Sequence, residues 1–345
     1  MLPVYHLETE LQKNADGTNN HHWLPIPHDY AQTYGTVLQL LRSDVYKAID
    51  VGLSAFSTKP GIYSLHDSAH FDEVVRKASE IAYCPANGNG SEGLKPYELF
   101  VLLLAIRVHD AGNYSGRGGH EKRCHKVLSD VAEKLLPHTT HEVQVIAEIA
   151  AAHGGELPGG NKDTIGALAP TAYVGSVEIR SQRIAALVRI ADELAENSQR
   201  TFPCLLRAGL IPIHNQIYHR YAEALKANFI QRDDAGVTVK LNFVIAHEVA
   251  KVKFGKEDEK VYLIDEIRQR LRKMNQERVY CNQFLAPKER ITSIVVDVKI
   301  EGKAAGPAAY TGHILLRDEG YPSNLALPSQ LQKLTSKAIL PTLGR

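Results

Sequence analysis

The feature that most constrains this chain is a short, almost wholly apolar segment that runs into a His-Asp pair. Nine of the ten residues from Leu99 to Val108 are apolar, and His109 and Asp110 follow directly. A proline before the segment and a glycine after it predict a buried helix over about residues 97–110, too short to cross a bilayer. A carboxylate at the end of a buried helix is costly unless a counter-charge meets it, and a divalent cation supplies that charge.

The composition is ordinary for a globular protein, and the length predicts two domains, or one large domain with a smaller appendage. The 345 residues carry a net charge of +1, which excludes a global basic field for nucleic acid or membrane surfaces. The four cysteines form no CxxC pair, which predicts reduced thiols in a cytoplasmic protein. There is no signal-peptide pattern and no long apolar run, so we expect no membrane segment.

Residues of the types that bind metals recur along one part of the chain. Eight of the 16 histidines lie between His66 and His153. The candidate metal ligands, in chain order, are His70, His109, Asp110, His120, His153 and Asp192. Helices fit between them, so the side chains can converge inside an antiparallel bundle. A single buried histidine is more often a core residue bonded to the backbone, so the prediction rests on the whole set. Histidine and carboxylate without thiolate favour a catalytic metal over structural zinc.

The remaining periodicity predicts a helical region followed by an α+β region. Helical spacing covers 30–56, 71–82, 120–136, 141–152, 178–197 and, with breaks, 205–230, with a loop over 154–176. Strands are predicted at 237–245, 291–300 and 313–316, and a helix at 260–277. We expect the last twenty-odd residues to form a loosely held tail.

These residues resemble the HD superfamily of metal-dependent phosphohydrolases. The resemblance rests on His70, on the pair His109-Asp110 after an apolar helix, and on Asp192 within Ile190–Leu194, and it spans roughly residues 30–205. The extra histidines between the His-Asp pair and the final aspartate are similar to a subset in which they hold a second metal. The implied fold is mainly α: a helical HD-domain bundle with a smaller C-terminal α+β domain.

The resemblance also implies a role for each candidate ligand. The first metal would be held by His70, His109, Asp110 and Asp192, with Asp110 bridging to a second metal. His120 and His153 would complete the second site, and His125 is the alternative to His120. The implied cofactors are divalent metal ions, two per chain, and the ligand set does not distinguish Mn, Fe, Ni, Co, Zn and Mg.

Further residues are candidates for catalysis and substrate binding. Asp110 and His66 are the predicted catalytic residues. His66 lies four residues before His70, so on a helix the two side chains share one side. The candidate phosphate contacts are Arg117, Lys122, Arg123 and Arg183. The glycines in 116–119 let the backbone approach a phosphate closely. Two cations would activate a water and clamp the phosphate oxygens.

The sequence therefore predicts an irregular segment over 1–29, an HD-type domain over 30–205 and an α+β domain with a polar tail over 206–345. The predicted activity is hydrolysis of a phosphate ester or phosphodiester of a nucleotide or oligonucleotide. Two alternatives stay open: a non-catalytic HD protein that binds and regulates, and a metal-dependent single-strand nuclease. We interpret the C-terminal region as a packing domain that supports the bundle or forms a homodimer. Its basic residues are interleaved with acids, which does not favour nucleic-acid binding.

Overall fold

The structure is a computed structural model that describes residues 5–14, 24–56, 68–84, 93–233, 236–303, 306–318 and 329–343. It confirms the predicted mainly α class. Contacts divide the chain into a first unit of residues 1–60, 66–195 and 281–289 and a second unit of residues 61–65, 196–280 and 290–345. This division by contacts does not decide the domain limits that we predicted from the sequence, and those limits stay a prediction. Among the described helices, none is long and apolar enough to cross a membrane.

The first unit is built from eight α-helices and one short hairpin within its described residues. The helices are α1 His6–Asn14, α2 Tyr30–Leu40, α3 Tyr46–Phe56, α4 Ser68–Ile81, α5 Pro96–Val108, α6 Cys124–Ala132, α7 Thr139–Ala151 and α8 Ser181–Glu193. The hairpin strands are β1 Ala172–Val174 and β2 Val177–Ile179. A π-helical turn at Leu41–Val45 joins α2 to α3, and 3-10 turns at Ala111–Ser115 and His120–Arg123 lie between α5 and α6.

Helix α5 is the predicted buried helix, and it lies at the centre of this unit. Pro96 occupies its first turn, and Glu98 accepts a hydrogen bond from the Lys95 backbone N–H at 2.9 Å, which closes the helix start. All residues from Tyr97 to Val108 are buried. Helices α1, α2, α4, α7 and α8 pack around α5. Because the helix is covered on every side, its apolar residues form a continuous run rather than a stripe.

Three sequence predictions for the first unit need correction. The segment 1–29 is not wholly irregular, because α1 forms there and buries Leu7 and Leu11. The loop predicted over 154–176 contains β1, and helix α8 begins at Ser181 rather than 178 because β2 precedes it. Gly175, at φ 56°, provides the left-handed position in the two-residue turn of this hairpin.

The second unit contains six strands within its described residues: β3 Leu225–Asp233, β4 Gly236–Ile245, β5 Lys253–Lys256, β6 Glu259–Tyr262, β7 Ile291–Ile300 and β8 Tyr310–Arg317. Four of them form a sheet with the order β3-β4-β7-β8, and β5 and β6 form a separate hairpin. Its helices are α9 Pro203–Arg207, α10 Gln216–Ala224, α11 His247–Ala250, α12 Leu263–Cys281, α13 Ser329–Lys333 and α14 Ser336–Ile339. Strands β4 and β7 are parallel, and the other sheet pairs are antiparallel.

The strands predicted at 237–245, 291–300 and 313–316 are confirmed. The prediction of helix up to residue 230 is wrong beyond the end of α10. The nine residues that follow α10 form strand β3, because they pair with β4. The first residues of the helix predicted at 260–277 lie in β6 instead. The prediction of a loosely held tail is wrong for residues 329–343, because four apolar side chains there are buried: Leu331, Leu334, Ile339 and Leu343.

Candidate metal centre

Six side chains converge at one point inside the first unit. Each is carried by a helix or by the residues just after one. His70 lies in the first turn of α4, His109 and Asp110 directly follow α5, His120 opens the 3-10 turn His120–Arg123, His153 follows α7, and Asp192 lies in the last turn of α8. These are the six candidate ligands of the sequence analysis, and the structure brings them together.

The first group consists of two imidazoles facing two carboxylates. His70 Nε2 lies 3.3 Å from Asp192 Oδ1 and 3.7 Å from Asp110 Oδ2. His109 Nε2 lies 3.5 Å from Asp192 Oδ1 and 3.9 Å from Asp110 Oδ2. Ligand atoms that each lie about 2.1 Å from one ion are about 3–4 Å from one another, so this spacing suits a metal.

The second group shares Asp110 with the first. Its other oxygen, Oδ1, lies 2.8 Å from His120 Nε2 and 3.6 Å from His153 Nε2. The Nε2 atoms of His120 and His153 are 3.4 Å apart. The two carboxylate oxygens of Asp110 therefore face two different groups, which is the geometry required of a ligand that bridges two cations.

Backbone carbonyls set the tautomer of three of these histidines. The Nδ1 atoms of His109, His120 and His153 lie 2.7, 2.9 and 2.6 Å from the carbonyl oxygens three residues earlier in the chain. A carbonyl only accepts, so the proton of each neutral ring is on Nδ1. Each Nε2 is then left with its lone pair directed into the cluster, which is the form that binds a metal.

The cluster passes a direct test of whether its residues fit divalent cations. Imidazole nitrogens face carboxylate oxygens, and two acceptors in contact repel unless a proton or a cation lies between them. His109 Nε2 is buried and meets no hydrogen-bond partner among the described residues. Three overlapping groups of three ligands have donor atoms close enough to hold an ion: His70 with His109 and Asp110, His109 with His153 and Asp192, and Asp110 with His120 and His153.

The electrostatics keep the carboxylates ionised. Burial opposes the charge on Asp110, but His109 and Arg117 outweigh it and hold the pKa of Asp110 well below its usual range. Burial likewise opposes the charge on Asp192, and His109 and His70 hold its pKa well below the usual range. Burial is the main cause that lowers the pKa of His153, and it outweighs the hydrogen bond to Asp110, which opposes the shift. Burial opposes the charge on His109, but Asp110 and Asp192 outweigh it and raise the pKa of this imidazole. Metal binding requires ionised carboxylates and neutral imidazoles, so a bound cation would take the place of the proton that the carboxylates favour on His109.

The segment between α5 and α6 folds back so that His120 reaches Asp110. This return depends on Gly112, because a Cβ there would lie 2.2 Å from the His120 carbonyl oxygen. Arg123 fixes the segment by donating to the carbonyl oxygens of Gly112, Gly116 and Gly118 at 3.2, 3.2 and 2.9 Å. Arg123 therefore holds the loop, and its guanidinium is engaged by backbone rather than directed to a phosphate.

The other predicted site residues have different positions. Arg117 is half exposed, with its NH1 atom 3.7 Å from Asp110 Oδ2, so it borders the cluster. Lys122 is exposed, and so is His125, the alternative to His120. His66 lies outside the described residues, and its role stays a prediction.

The prediction that Arg183 contacts phosphate needs correction. Its guanidinium is buried and donates to both carboxylate oxygens of Glu289, at 2.9 and 2.6 Å. Glu289 also accepts from the Tyr83 backbone N–H at 2.9 Å. Arg183 is thus a structural residue that fixes the segment 281–289 within the first unit.

Sequence reasoning missed the charged side chains behind the cluster. Arg107, two residues before His109, is buried and makes contacts of 2.6 and 2.8 Å with Asp72 and Glu8. The sequence does contain an indication that Arg107 has a buried partner, because it is the one charged residue in the apolar run from Leu99 to Val108. Its partners could not be found from the sequence, because they lie 35 and 99 residues away.

A mainly α bundle with a His-Asp pair at the end of its buried central helix, and further histidines and an aspartate around it, defines an HD-type domain. The model of the HD-CE family, a family of HD domains, matches residues 61–273. This range covers more than half of the chain, so the chain belongs to the HD-CE family. No curated protein and no solved structure matches the chain.

Proposed function

We propose that this protein is a metal-dependent phosphohydrolase or phosphodiesterase that uses two divalent cations to hydrolyse a phosphate ester of a nucleotide or oligonucleotide. The HD-CE match and the His/Asp cluster support metal-dependent hydrolysis at a coarse level. The observation that carries the two-metal proposal is the position of Asp110, whose two oxygens face two separate groups of histidines.

Each ligand has a role in this proposal. His70, His109 and Asp192 hold one ion with Asp110, and His120 and His153 hold the other. Bound ions supply an activated water and neutralise the phosphate oxygens. The chain keeps the carboxylates ionised and the imidazoles oriented by their bonds to backbone carbonyls, so the site needs little rearrangement to bind the ions. We also propose that His66 contacts the substrate or the attacking water.

Arg117 is the side chain that we place on the substrate. It is half exposed at the border of the cluster, with a guanidinium that can donate two hydrogen bonds to a phosphate. Its distance of 3.7 Å from Asp110 Oδ2 allows it to turn to a phosphate held by the metals. Lys122 is exposed in the same segment, and we propose it as a second, weaker contact.

Hydrolysis of bis-p-nitrophenyl phosphate tests the proposal. The protein is stripped with a chelator and reloaded with Mn²⁺, Co²⁺, Ni²⁺, Zn²⁺ or Mg²⁺ before the assay. We expect activity that returns with at least one of these metals and disappears in Asp110→Ala. Absence of activity with every metal would contradict the enzymatic proposal and favour the binding or regulatory alternative.

Two histidines in one short segment provide a matched pair of variants. His120→Ala removes a candidate ligand, and His125→Ala removes an exposed ring five residues later. We expect the first change to reduce turnover by at least about 10–100-fold, because the loss of a group that only orients a ligand already costs that much. The second change should leave turnover intact. Equal effects of the two changes would contradict the assignment of His120.

A further inference from the structure

A group of charges around the buried Arg107 lies next to the candidate metal centre in the first unit. Arg107 is 1% exposed and donates to Asp72 Oδ1 at 2.6 Å, to Glu8 Oε1 at 2.8 Å and to the Tyr34 hydroxyl at 2.9 Å. Arg42 donates to both oxygens of Asp72, at 2.7 and 2.9 Å. We call the four charged side chains, Glu8, Arg42, Asp72 and Arg107, the Arg107 cluster. Their charges sum to zero.

The Arg107 cluster joins α4 and α5, two of the three helices that carry the first group of ligands; the third is α8, which carries Asp192. Asp72 follows His70 by two residues on α4, and Arg107 precedes His109 by two residues on α5. Two residues correspond to a rise of about 3 Å along a helix, so the ion pair acts at the level of the ligands. The Arg107–Asp72 contact therefore links α4 and α5 close to the points where they carry His70 and His109.

Aromatic packing makes the same connection. The Tyr46 hydroxyl donates to the Arg107 carbonyl oxygen at 2.7 Å, and its ring stacks on Phe71 with centroids 4.2 Å apart. Phe71, the residue between His70 and Asp72, in turn contacts the His109 ring edge-on at 5.4 Å. The ligand rings are thus held by a packed support that includes the backbone of Arg107.

Helix α1 supplies one of the two negative charges of the Arg107 cluster. Glu8 is buried, and it also accepts a hydrogen bond from Tyr34. The apolar neighbours Leu7 and Leu11 are buried as well, and the Leu7 backbone N–H donates to Ser79 Oγ of α4 at 3.4 Å. Without Glu8, Asp72 alone would face two guanidinium groups, and a buried cation left without its counter-charge is strongly destabilising. The position of Arg107 therefore depends on α1.

We infer that Arg107 is a positioning residue for the metal centre and that α1, through Glu8, sets its metal affinity. The inference rests on the proposed function, because it concerns the same site. Coupling between two binding events is reciprocal, so metal binding stabilises the docked α1 by the same factor by which docked α1 strengthens metal binding. The N-terminal helix is in this sense a part of the metal centre that makes no contact with the metal.

Mn²⁺ affinity of the folded, metal-free protein tests the inference without any assay of hydrolysis. Titrations monitored by Mn²⁺ electron paramagnetic resonance compare wild type with Glu8→Gln, which keeps an oxygen acceptor but removes the charge, and with Arg107→Lys, which keeps the charge but not the three-way geometry. We expect both variants to bind about 10–100-fold more weakly, the usual effect of losing a group that orients ligands.

The matched control is Glu98→Gln. Glu98 is buried, as Glu8 is, and it lies on α5, the helix that carries Arg107. It pairs with Arg180 and lies about 16 Å along the helix from His109. This change removes a buried ion pair of the same kind, so it reports general destabilisation. We expect its Mn²⁺ affinity to equal that of wild type. If Glu98→Gln binds Mn²⁺ as weakly as Glu8→Gln does, the loss of affinity reflects general destabilisation, and the inference is overturned.

Hydrogen exchange of the wild-type chain gives a second test that needs no variant to fold. Saturating Mn²⁺ should slow amide exchange in α1 by about tenfold or more, by reciprocity with the affinity change. Unchanged exchange in α1 with slowed exchange at α4 and α5 would overturn the coupling and leave the metal centre in place. A wild-type protein that binds none of Mn²⁺, Co²⁺, Ni²⁺, Zn²⁺ and Mg²⁺ would overturn both the coupling and the two-metal proposal, so the two failures are distinguishable.

Discussion

A buried lysine provides a quantitative test of the electrostatics of the first unit. Lys77 lies on α4 and is fully buried, with its Nζ atom 4.0 Å from Glu80 Oε2. Burial, together with the charge of Arg76, lowers the pKa of Lys77 from 10.5 to about 8. The native state therefore disfavours the charged lysine relative to the unfolded chain. We predict that Lys77→Met, which keeps the length of the side chain and removes the charge, stabilises the protein at pH 7.

The magnitude follows from the pKa shift, and the sign from linkage. A shift of 2.5 units between the folded and unfolded states corresponds to about 3 kcal/mol, because each unit is worth about 1.4 kcal/mol. Below about pH 8 both states are protonated and the full cost is present. Between about pH 8 and 10.5 the native state loses the proton while the unfolded state keeps it, so the stability of the wild type rises with pH. The advantage of Lys77→Met should shrink over this range.

Urea unfolding of the metal-free protein at pH 7, 8, 9 and 10 measures this prediction. We expect the free energy of unfolding of Lys77→Met to exceed that of wild type by up to about 3 kcal/mol at pH 7 and by less than about 1 kcal/mol at pH 10. Lys126→Met, at an exposed position on α6, is the control and should leave the free energy of unfolding close to that of wild type at every pH. A variant less stable than wild type at pH 7, or a difference independent of pH, would refute the reasoning.

Three further predictions concern the support and the border of the site. Glu289→Gln leaves Arg183 buried without its counter-charge and should lower the free energy of unfolding by about 3–5 kcal/mol in urea titrations; a loss below about 1 kcal/mol would contradict the structural role of this pair. Gly52→Ala places a Cβ 1.9 Å from the Tyr114 carbonyl oxygen and should lower the melting temperature, at a cost of about 1–3 kcal/mol; an unchanged melting temperature would count against this close approach. Arg117→Gln should raise KM for a phosphodiester about tenfold while metal content measured by mass spectrometry stays the same; loss of metal would instead make Arg117 part of the ion site.

The order of ligand types along the chain predicted the cluster because each ligand sits at a helix end or first turn that local sequence can locate. The apolar run predicts α5 and ends at the His-Asp pair, and the glycine after His153 marks the end of α7. The choice between His120 and His125 could not be made from the sequence. It depends on a 3-10 turn that starts at His120 and points that ring inward, while His125 on α6 faces solvent.

Long-range partners explain the predictions that were wrong or missing. Arg183 resembles a phosphate contact in the sequence, but Glu289, 106 residues later, engages it. Arg107 gains its role from Glu8, in a segment that we predicted to be irregular. The segment after α10 becomes strand β3 because of its pairing with β4, and its own residues carry no clear alternation. Charges and strands of this kind take their roles from partners that periodicity does not identify.

The number of metal ions held by the chain tests the central claim most directly. The measurement is elemental analysis by mass spectrometry of protein loaded with Mn²⁺ and freed of excess metal, for wild type and for Asp110→Ala. Because Asp110 faces both groups of ligands, we predict two ions per chain in wild type and loss of both in the variant. One ion in wild type, or one ion retained by Asp110→Ala, would contradict the bridged two-metal centre.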